Sequence, residues 1–253
     1  MSDQPSRAEV MIAAIVPMLA GLGHVAVGAA SPIPAAAALL ARTVSGGALR
    51  VSLLGSAENN PFTDGGRELF DCAAQGRIDA FFLSGGQIDG SANVNLVGIG
   101  DYPNLKARLP GSFGSAYLYH LIPRVILFRE EHSPRTLVDR VDFVSAAGTS
   151  PDGVYRCGGP HALVTGRAVF RFDQARASFE LTSVHDGQTR ETITEATGFA
   201  FEAAASVPVT PPLAPDARAL LRGPVADAVG EIYPAFAALL VGGTPSGRSA
   251  PAR

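Results

Sequence analysis

The sequence predicts an α/β fold: an open, mostly parallel sheet flanked by helices, with an antiparallel portion added late in the chain. Three observations carry that expectation. Short apolar runs of strand character alternate with helical periodicity through the first half, the pattern of parallel strands joined by helical crossovers. From Ala162 onward, strand-type segments follow one another across turn signals without a helix between them. Between these halves lies Phe81–Gly114, FFLSGGQIDGSANVNLVGIGDYPNLKARLPGSFG, an apolar start that glycine interrupts repeatedly.

Taken in order, Ser6–Leu22 has helical character, with Ala8, Met11, Ile12, Ile15, Met18 and Leu19 at three- and four-residue spacing and Pro17 as a kink or boundary. Gly21 and Gly23 stop it, and His24–Gly28 follows as a short buried strand. Ser31-Pro32 has the form of an N-cap followed by proline at the first helical position, and Ala35–Arg42 is a strong helix former. A helix start after a strand offers free N–H groups to an anion, although an ordinary βα turn explains the same residues. Val51–Leu54 is the next strand. Thr63 is placed to cap a helix from Asp64 to Gln75, with Gly76 as its stop.

Phe81–Leu83 and Val94–Ile99 read as strands, Ala116–Leu121 as a short helix, Arg124–Phe128 as a buried strand and Phe143–Ser145 as a further short one. Ala162–Thr165, Ala168–Phe172 and Ser178–Val184 form the expected antiparallel meander. Thr189 begins a short helix that ends near Gly198, and Val207–Pro215 is a proline-rich connector. Helices over Asp216–Leu221 and Pro224–Leu240 should pack back on the body. Residues 1–241 read as one domain and residues 242–253, rich in Gly, Ser, Pro and Arg, as a flexible tail.

The chain has 253 residues, 47% of them hydrophobic and 17% charged, which describes a globular chain with a substantial core. A net charge of −3 leaves no electrostatic footprint for nucleic acid or an acidic membrane. Lysine occurs only at Lys106, and the other basic residues are arginine. Val10–Leu22 is apolar but too short to span a bilayer, is interrupted by Pro17 and lacks the basic start of a secretory signal, so a cytoplasmic location is expected. Cys72 and Cys157 stand apart from any CxxC or Cys/His cluster, which argues against structural zinc and a disulfide framework and suits a reducing compartment. A P-loop and a GxGxxG fingerprint are both missing, so the standard modes of nucleotide binding are not expected.

His24, His120, His132, His161 and His185 are scattered and fit no metal or triad motif. Glu130-Glu131-His132 reads as a solvated strand end, continued by Asp139, Arg140 and Asp142. Glu58 differs from these, because it lies in Gly55–Asn60 directly after a buried strand. Ligands of open α/β sheets gather at the carboxyl ends of strands, and a carboxylate there can attack a carbonyl carbon. An exposed turn glutamate is the alternative. The glycine segments Gly85-Gly86-Gln87 and Gly111–Ser115 are either tight turns or backbone presented to a ligand.

LSGGQIDGSANVN, followed by IGDYPNLKARLPGSFGSA and later RTLVDRVDFVSAAG, resembles the β subunit of class I CoA-transferases, in particular that of glutaconate CoA-transferase. HVAVGAASPIP, RVSLLG, GRAVFRFD and ETITEATGFAF agree in order, and the resemblance extends to about residue 202. It implies an open α/β fold shared with a homologous α-type subunit, an active site between the two, CoA thioesters as substrates and no tightly bound cofactor. It also implies a nucleophilic glutamate on this chain, for which Glu58 is the candidate. Gly85, Gly86, Gln87, Gly111, Ser112, Phe113, Gly114 and Ser115 would form the CoA site, with the glycine-serine loop giving N–H donors to the thioester oxygen.

One departure matters. The family glutamate stands at the strand end, where the simplest register puts Leu53 or Leu54. Glu58 is reached only by a slip that a loop can absorb and a strand cannot. The resemblance therefore also extends to the ring-cleaving CoA hydrolases, which rely on a glutamate of the α chain. A hydrolase or C–C lyase β subunit, or a non-catalytic partner, remains an alternative. Phe113, Tyr117 and Tyr119 would suit an apolar acyl portion, or simply the core.

Overall fold

Ser6 opens the helical architecture with a reciprocal cap: its hydroxyl accepts the Glu9 N–H at 3.2 Å while the Glu9 carboxylate accepts the Ser6 N–H at 2.8 Å. In the computed structural model, which describes residues 5–242, this cap starts α1 (Arg7–Ile15), and Pro17 tightens the chain into a 3₁₀ turn over Val16–Leu19. Then follow β1 (His24–Val27), α2 (Pro32–Val44), β2 (Arg50–Leu53), α3 (Gly65–Ala74) and β3 (Ala80–Leu83). The chain next leaves the main sheet for two ribbons, β4 (Gln87–Ile88) with β5 (Val94–Asn95) and β6 (Gly98–Ile99) with β7 (Ala107–Arg108). It returns through α4 (Ser115–Leu121) to β8 (Arg124–Arg129).

The rest of the sheet is β9 (Pro160–Thr165), β10 (Ala168–Asp173), β11 (Ser178–Val184) and, after α5 (Arg190–Ala196), β12 (Glu202–Ala203). The chain closes with α6 (Pro215–Leu220), a π-helical turn over Leu221–Val225, α7 (Ala226–Gly230) and α8 (Pro234–Leu240). The strand order is β12-β11-β10-β9-β8-β3-β1-β2. From β2 to β9 all neighbours are parallel, β9-β10-β11 are antiparallel, and β12 pairs parallel to β11. This is the expected mostly parallel sheet with its late antiparallel portion.

Alternate residues of the central strands face two apolar layers. Val25, Val27, Phe82 and Ile126 pack with α1, α2 and the C-terminal helices. Ala26, Phe81, Leu83 and Leu127 pack on the other face with Leu69 of α3 and Leu118 of α4. Burial on both faces explains why these strands read as continuous apolar runs rather than alternating ones.

Several local expectations differ from the structure. Val94–Ile99 is two short strands, because the Asn95 side chain accepts the N–H groups of Val97 (3.0 Å) and Gly98 (3.2 Å) and donates to the Gly98 carbonyl (2.7 Å). Phe143–Ser145 forms no strand; the adjacent Ala146 makes an isolated bridge to Val94, and the Ser145 hydroxyl donates to the Val94 carbonyl instead. The residue before α3 is Asp64 rather than Thr63, whose N–H and hydroxyl donate to Glu68. The C-terminal helical pair is broken into shorter pieces by non-helical Gly223 before Pro224, and again at Pro234. Of the expected tail, residues 243–253 lie outside the described residues.

Two buried polar groups tie distant segments together. Glu9, 3% exposed, accepts Arg222 Nε at 2.7 Å and Arg218 Nε at 3.4 Å, joining α1 to the C-terminal helices. Burial pushes its carboxyl up, but hydrogen bonds from Arg222, the Ser6 N–H and Arg218 together outweigh this and hold it below the ordinary value. His132 is not part of a solvated strand end as expected. It is buried, with its ring nitrogens 2.8 Å from Thr165 Oγ1 and 2.9 Å from Thr197 Oγ1. Burial, and then the charges of Arg167 and His185, lower it from 6.5 to about 4.

Three outcomes follow for stability. Glu9→Gln removes the buried carboxylate that accepts from Arg218, Arg222 and the Ser6 N–H and should cost about 3 kcal/mol in urea unfolding. His132 folds neutral, so its contribution is complete above pH 6.5 and is lost as the pH falls from there towards 4. That loss amounts to about 3 kcal/mol; the urea midpoint should fall between pH 7 and pH 5, and fall less in His132→Gln. Gly85 has no room for a side chain, since a Cβ would run into Val94 and lie 3.0 Å from the Asn95 carbonyl oxygen. Gly85→Ala should destabilise by about 2 kcal/mol in the same assay.

Candidate functional site

Parallel pairing brings the carboxyl ends of β1, β3 and β8 to one end of the sheet. The segments that leave those ends, Gly28–Ser31, Ser84–Gly86 and Arg129–Glu131, line a single cleft of about 820 Å³. Leu96, Leu109, Pro110 and the loop Ser112–Ser115 contribute further lining. This is where an open α/β sheet receives a ligand.

Of the residues singled out in the sequence, Gly85, Gly86, Ser112, Phe113 and Ser115 line this cleft. Gln87, Gly111 and Gly114 stand just behind them. The Gln87 amide oxygen is buried and accepts from Asn95 Nδ2 (2.7 Å) and the Asp142 N–H (3.0 Å), so it braces the turn. Gly111 turns the chain at φ +98° and donates to the Leu96 carbonyl at 2.8 Å. Gly114, at φ +76°, precedes α4 and packs on the Phe70 ring.

The glycine-serine loop is locally strained and open. Phe113 has φ +41°, unusual for a bulky side chain, and is 76% exposed. Its ring lies over Gly66, where a Cβ would come within 2.8 Å, and 5.7 Å between centroids from Phe70. The Ser115 N–H and hydroxyl both turn inward to the Ser112 carbonyl, at 2.8 and 2.5 Å. Among the described residues, none accepts from the N–H groups of Ser112, Phe113 and Gly114. Three neighbouring donors in the loop are thus unclaimed, two of them, at Ser112 and Phe113, on residues that line the cleft.

The start of α2 offers less than its sequence promised. The Ser31 hydroxyl makes no cap and donates to the Ala29 carbonyl at 3.2 Å. Its N–H donates to the Tyr233 hydroxyl at 3.1 Å, the Ala35 N–H to the Ser31 carbonyl, and Pro32 and Pro34 have none. Among the described residues none accepts from the Ile33 N–H, the one donor left in that turn, so little anion affinity remains there.

Glu58 stands in the loop after β2, exposed and not among the residues that line the cleft. The loop is closed by the Leu53 N–H donating to the Asn59 carbonyl at 2.9 Å, which returns the chain beside the strand end. Leu53 itself is fully buried in the core shared with α2. The loop is pinned from far away: the Ser56 hydroxyl donates to Glu231 at 2.5 Å and the Ala57 N–H donates to the same carboxylate. Those bonds, Ser56 first, hold the Glu231 carboxyl below its ordinary value.

Sequence reasoning missed Arg129, Glu130 and Glu131 as cleft residues. The signal was present, since they follow an apolar strand just as Glu58 does. Glu131 is held below the ordinary carboxylate range by a hydrogen bond from Ser133, and by Arg135 and Arg129. Of the three aromatic residues considered for an acyl group, only Phe113 reaches the cleft; Tyr119 is buried and donates to the Ala92 carbonyl at 2.9 Å. Among the described residues, no group of His, Cys, Asp and Glu converges as metal ligands would, and no helix is long and apolar enough to cross a membrane.

Comparison with known proteins agrees with this geometry. The B-type subunit of the 3-oxoadipate CoA-transferase of Pseudomonas knackmussii is 35% identical over 141 residues, which cover 53% of this chain and 54% of that protein. The B-type subunit of the glutaconate CoA-transferase of Acidaminococcus fermentans is 30% identical over 138 residues, covering 52% of this chain and 51% of that protein. The chain thus spans about half the length of the curated relatives it matches. The crystal structure of the Acidaminococcus glutaconate enzyme superposes with a TM-score of 0.76 at 20% identity, over 87% of this chain and 94% of that one. That of the decarboxylase AibA/AibB superposes at 0.73 and 22% identity, over 94% of this chain and 100% of that one. Residues 10–196 match the Coenzyme A transferase family over most of the chain's length, and the chain belongs to that family.

Proposed function

We propose that this chain is the β subunit of a two-subunit CoA-transferase that moves CoA between a carboxylic acid and an acyl-CoA. The observation that carries this reading is the cleft at the ends of β1, β3 and β8, bordered by a loop with three unclaimed N–H donors. In this reading the thioester carbonyl lies against Ser112–Gly114, and those donors stabilise the charge that develops on its oxygen. Gly85 and Gly86 let the acyl-CoA approach the backbone, and Gln87 and Gly111 hold the two turns in shape. A homologous α-type subunit covers the open side of the cleft, and CoA enters as a substrate thioester rather than a resident cofactor. A cytoplasmic, reducing location suits the free cysteines Cys72 and Cys157.

The nucleophile assigned to this reaction is Glu58. Its carboxylate attacks the thioester carbonyl, and the CoA thiolate leaves to give a mixed anhydride. The thiolate then attacks the glutamyl carbonyl, releasing the first carboxylic acid and leaving a glutamyl-CoA thioester. The acceptor carboxylate repeats the two steps in reverse and carries CoA away.

A second reading rests on a specific observation. Leu53 closes β2 with its side chain in the core, and the cleft is lined by Glu130 and Glu131 but not Glu58. A hydrolase or C–C lyase whose catalytic glutamate belongs to the α chain needs no carboxylate at that strand end, and neither does a non-catalytic partner subunit.

One experiment separates these readings. The chain is co-expressed with its α-type partner, incubated with acyl-CoA, trapped with borohydride or hydroxylamine, and mapped by mass spectrometry. Transfer predicts label on Glu58 and a loss of turnover on the order of a thousandfold or more in Glu58→Gln. An unlabelled chain whose product formation survives that substitution would discard the transferase in favour of the second reading.

A further inference from the structure

The cleft distributes its polarity unevenly. Phe81, Leu83, Leu96, Leu109, Phe113 and Leu118 give it an apolar lining. Its charged residues are confined to the end of β8, where Glu130 and Glu131 stand together. Arg129 is the one cation among the described residues that line it. That arginine is already committed: Nη1 donates to the Gly85 carbonyl at 3.2 Å and Nη2 faces Glu131 at 3.4 Å. Its Nε has no partner but is shut off from solvent. Glu131 is further held by Arg135, with Nη2 at 2.9 Å, and by the Ser133 hydroxyl at 2.8 Å. Glu130 is exposed and has no ion-pair partner among the described residues.

Resting on the acyl-CoA reading above, we propose that this cleft selects CoA thioesters of apolar monocarboxylic acids and rejects acyl groups that end in a second carboxylate. The reason is what each kind of acyl chain would meet. A terminal carboxylate would exchange water for phenyl and leucyl side chains, would find Arg129, the one cation among the described residues of this chain's lining, engaged, and would approach Glu130 as a like charge. A methyl terminus meets none of these costs and gains about fourfold in affinity for every methylene it buries. The residue that sets the discrimination is Glu130, a specificity residue rather than a catalytic one.

The test is competition binding to the complex with the α-type partner, using free CoA, hexanoyl-CoA and adipyl-CoA, the two thioesters sharing a six-carbon acyl chain. Hexanoyl-CoA should bind at least tenfold more tightly than adipyl-CoA. The gap should narrow at least threefold in Glu130→Gln. It should also narrow in the unsubstituted protein when salt is raised from about 0.02 to 0.5 M, which reads the same repulsion without a substitution. Adipyl-CoA binding as well as hexanoyl-CoA, or a gap unmoved by both salt and Glu130→Gln, overturns the proposal while leaving the acyl-CoA reading in place. Failure of free CoA and both thioesters to bind overturns the acyl-CoA reading itself, and this proposal with it.

Discussion

The parallel ladder between β3 and β8, which sets Ala80 beside Arg124 and Leu83 beside Leu127, is the constraint on which the cleft depends. Because Leu83 ends β3 beside Leu127 while β8 runs on to Arg129, the glycine turn after β3 lies against the last residues of β8 and the charged corner that follows them. Arg129 then reaches the Gly85 carbonyl across the gap. Shifting the register by a single residue would turn every side chain of these strands to the opposite layer, and both apolar faces would be lost together. The burial of Phe81, Phe82, Ile126 and Leu127 therefore protects the cleft as well as the core.

A second constraint comes from the C-terminal segment. Glu9 on the first helix holds Arg218 and Arg222, while Glu231 and Tyr233 hold the loops after β2 and β1. These contacts cross more than half of the sequence, and their C-terminal partners lie outside the family match at residues 10–196. They share one design: a carboxylate or hydroxyl, on α1 for Glu9 and in the turn between α7 and α8 for Glu231 and Tyr233, accepts donors that a loop or a helix would otherwise leave unsatisfied.

Much of the fold was legible because local signals decided it. Largely apolar runs of three to five residues located β1, β3 and β8, Ser6 and Thr189 marked helix starts by real capping boxes, and Gly166 and Asp173 marked the turns of the meander. What sequence could not show was decided by distant partners. Asn95 looks like any polar residue in a strand until its side chain is seen taking two backbone N–H groups. Ser31 has the form of a cap, yet its N–H is claimed by Tyr233 and its hydroxyl turns back to Ala29. His132 belongs by sequence to a charged corner and by structure to the core, because two threonines from separate elements receive it. The glycine motifs are visible at once, whereas Glu130 and Glu131 read as a solvated strand end, and only the folded sheet shows that this strand end borders a cleft.

The place of β2 in the sheet has a further consequence. It is an edge strand, hydrogen-bonded to β1 on one side, while Leu53 at its end bonds to its own loop through the Asn59 carbonyl and the Ser56 N–H. A change in the loop after Leu53 therefore meets one neighbouring strand rather than two, besides the Glu231 carboxylate that pins the loop. With Glu58 as the proposed nucleophile, the group that reacts would stand on a loop at the margin of the sheet, apart from the strand ends that shape the pocket at its centre.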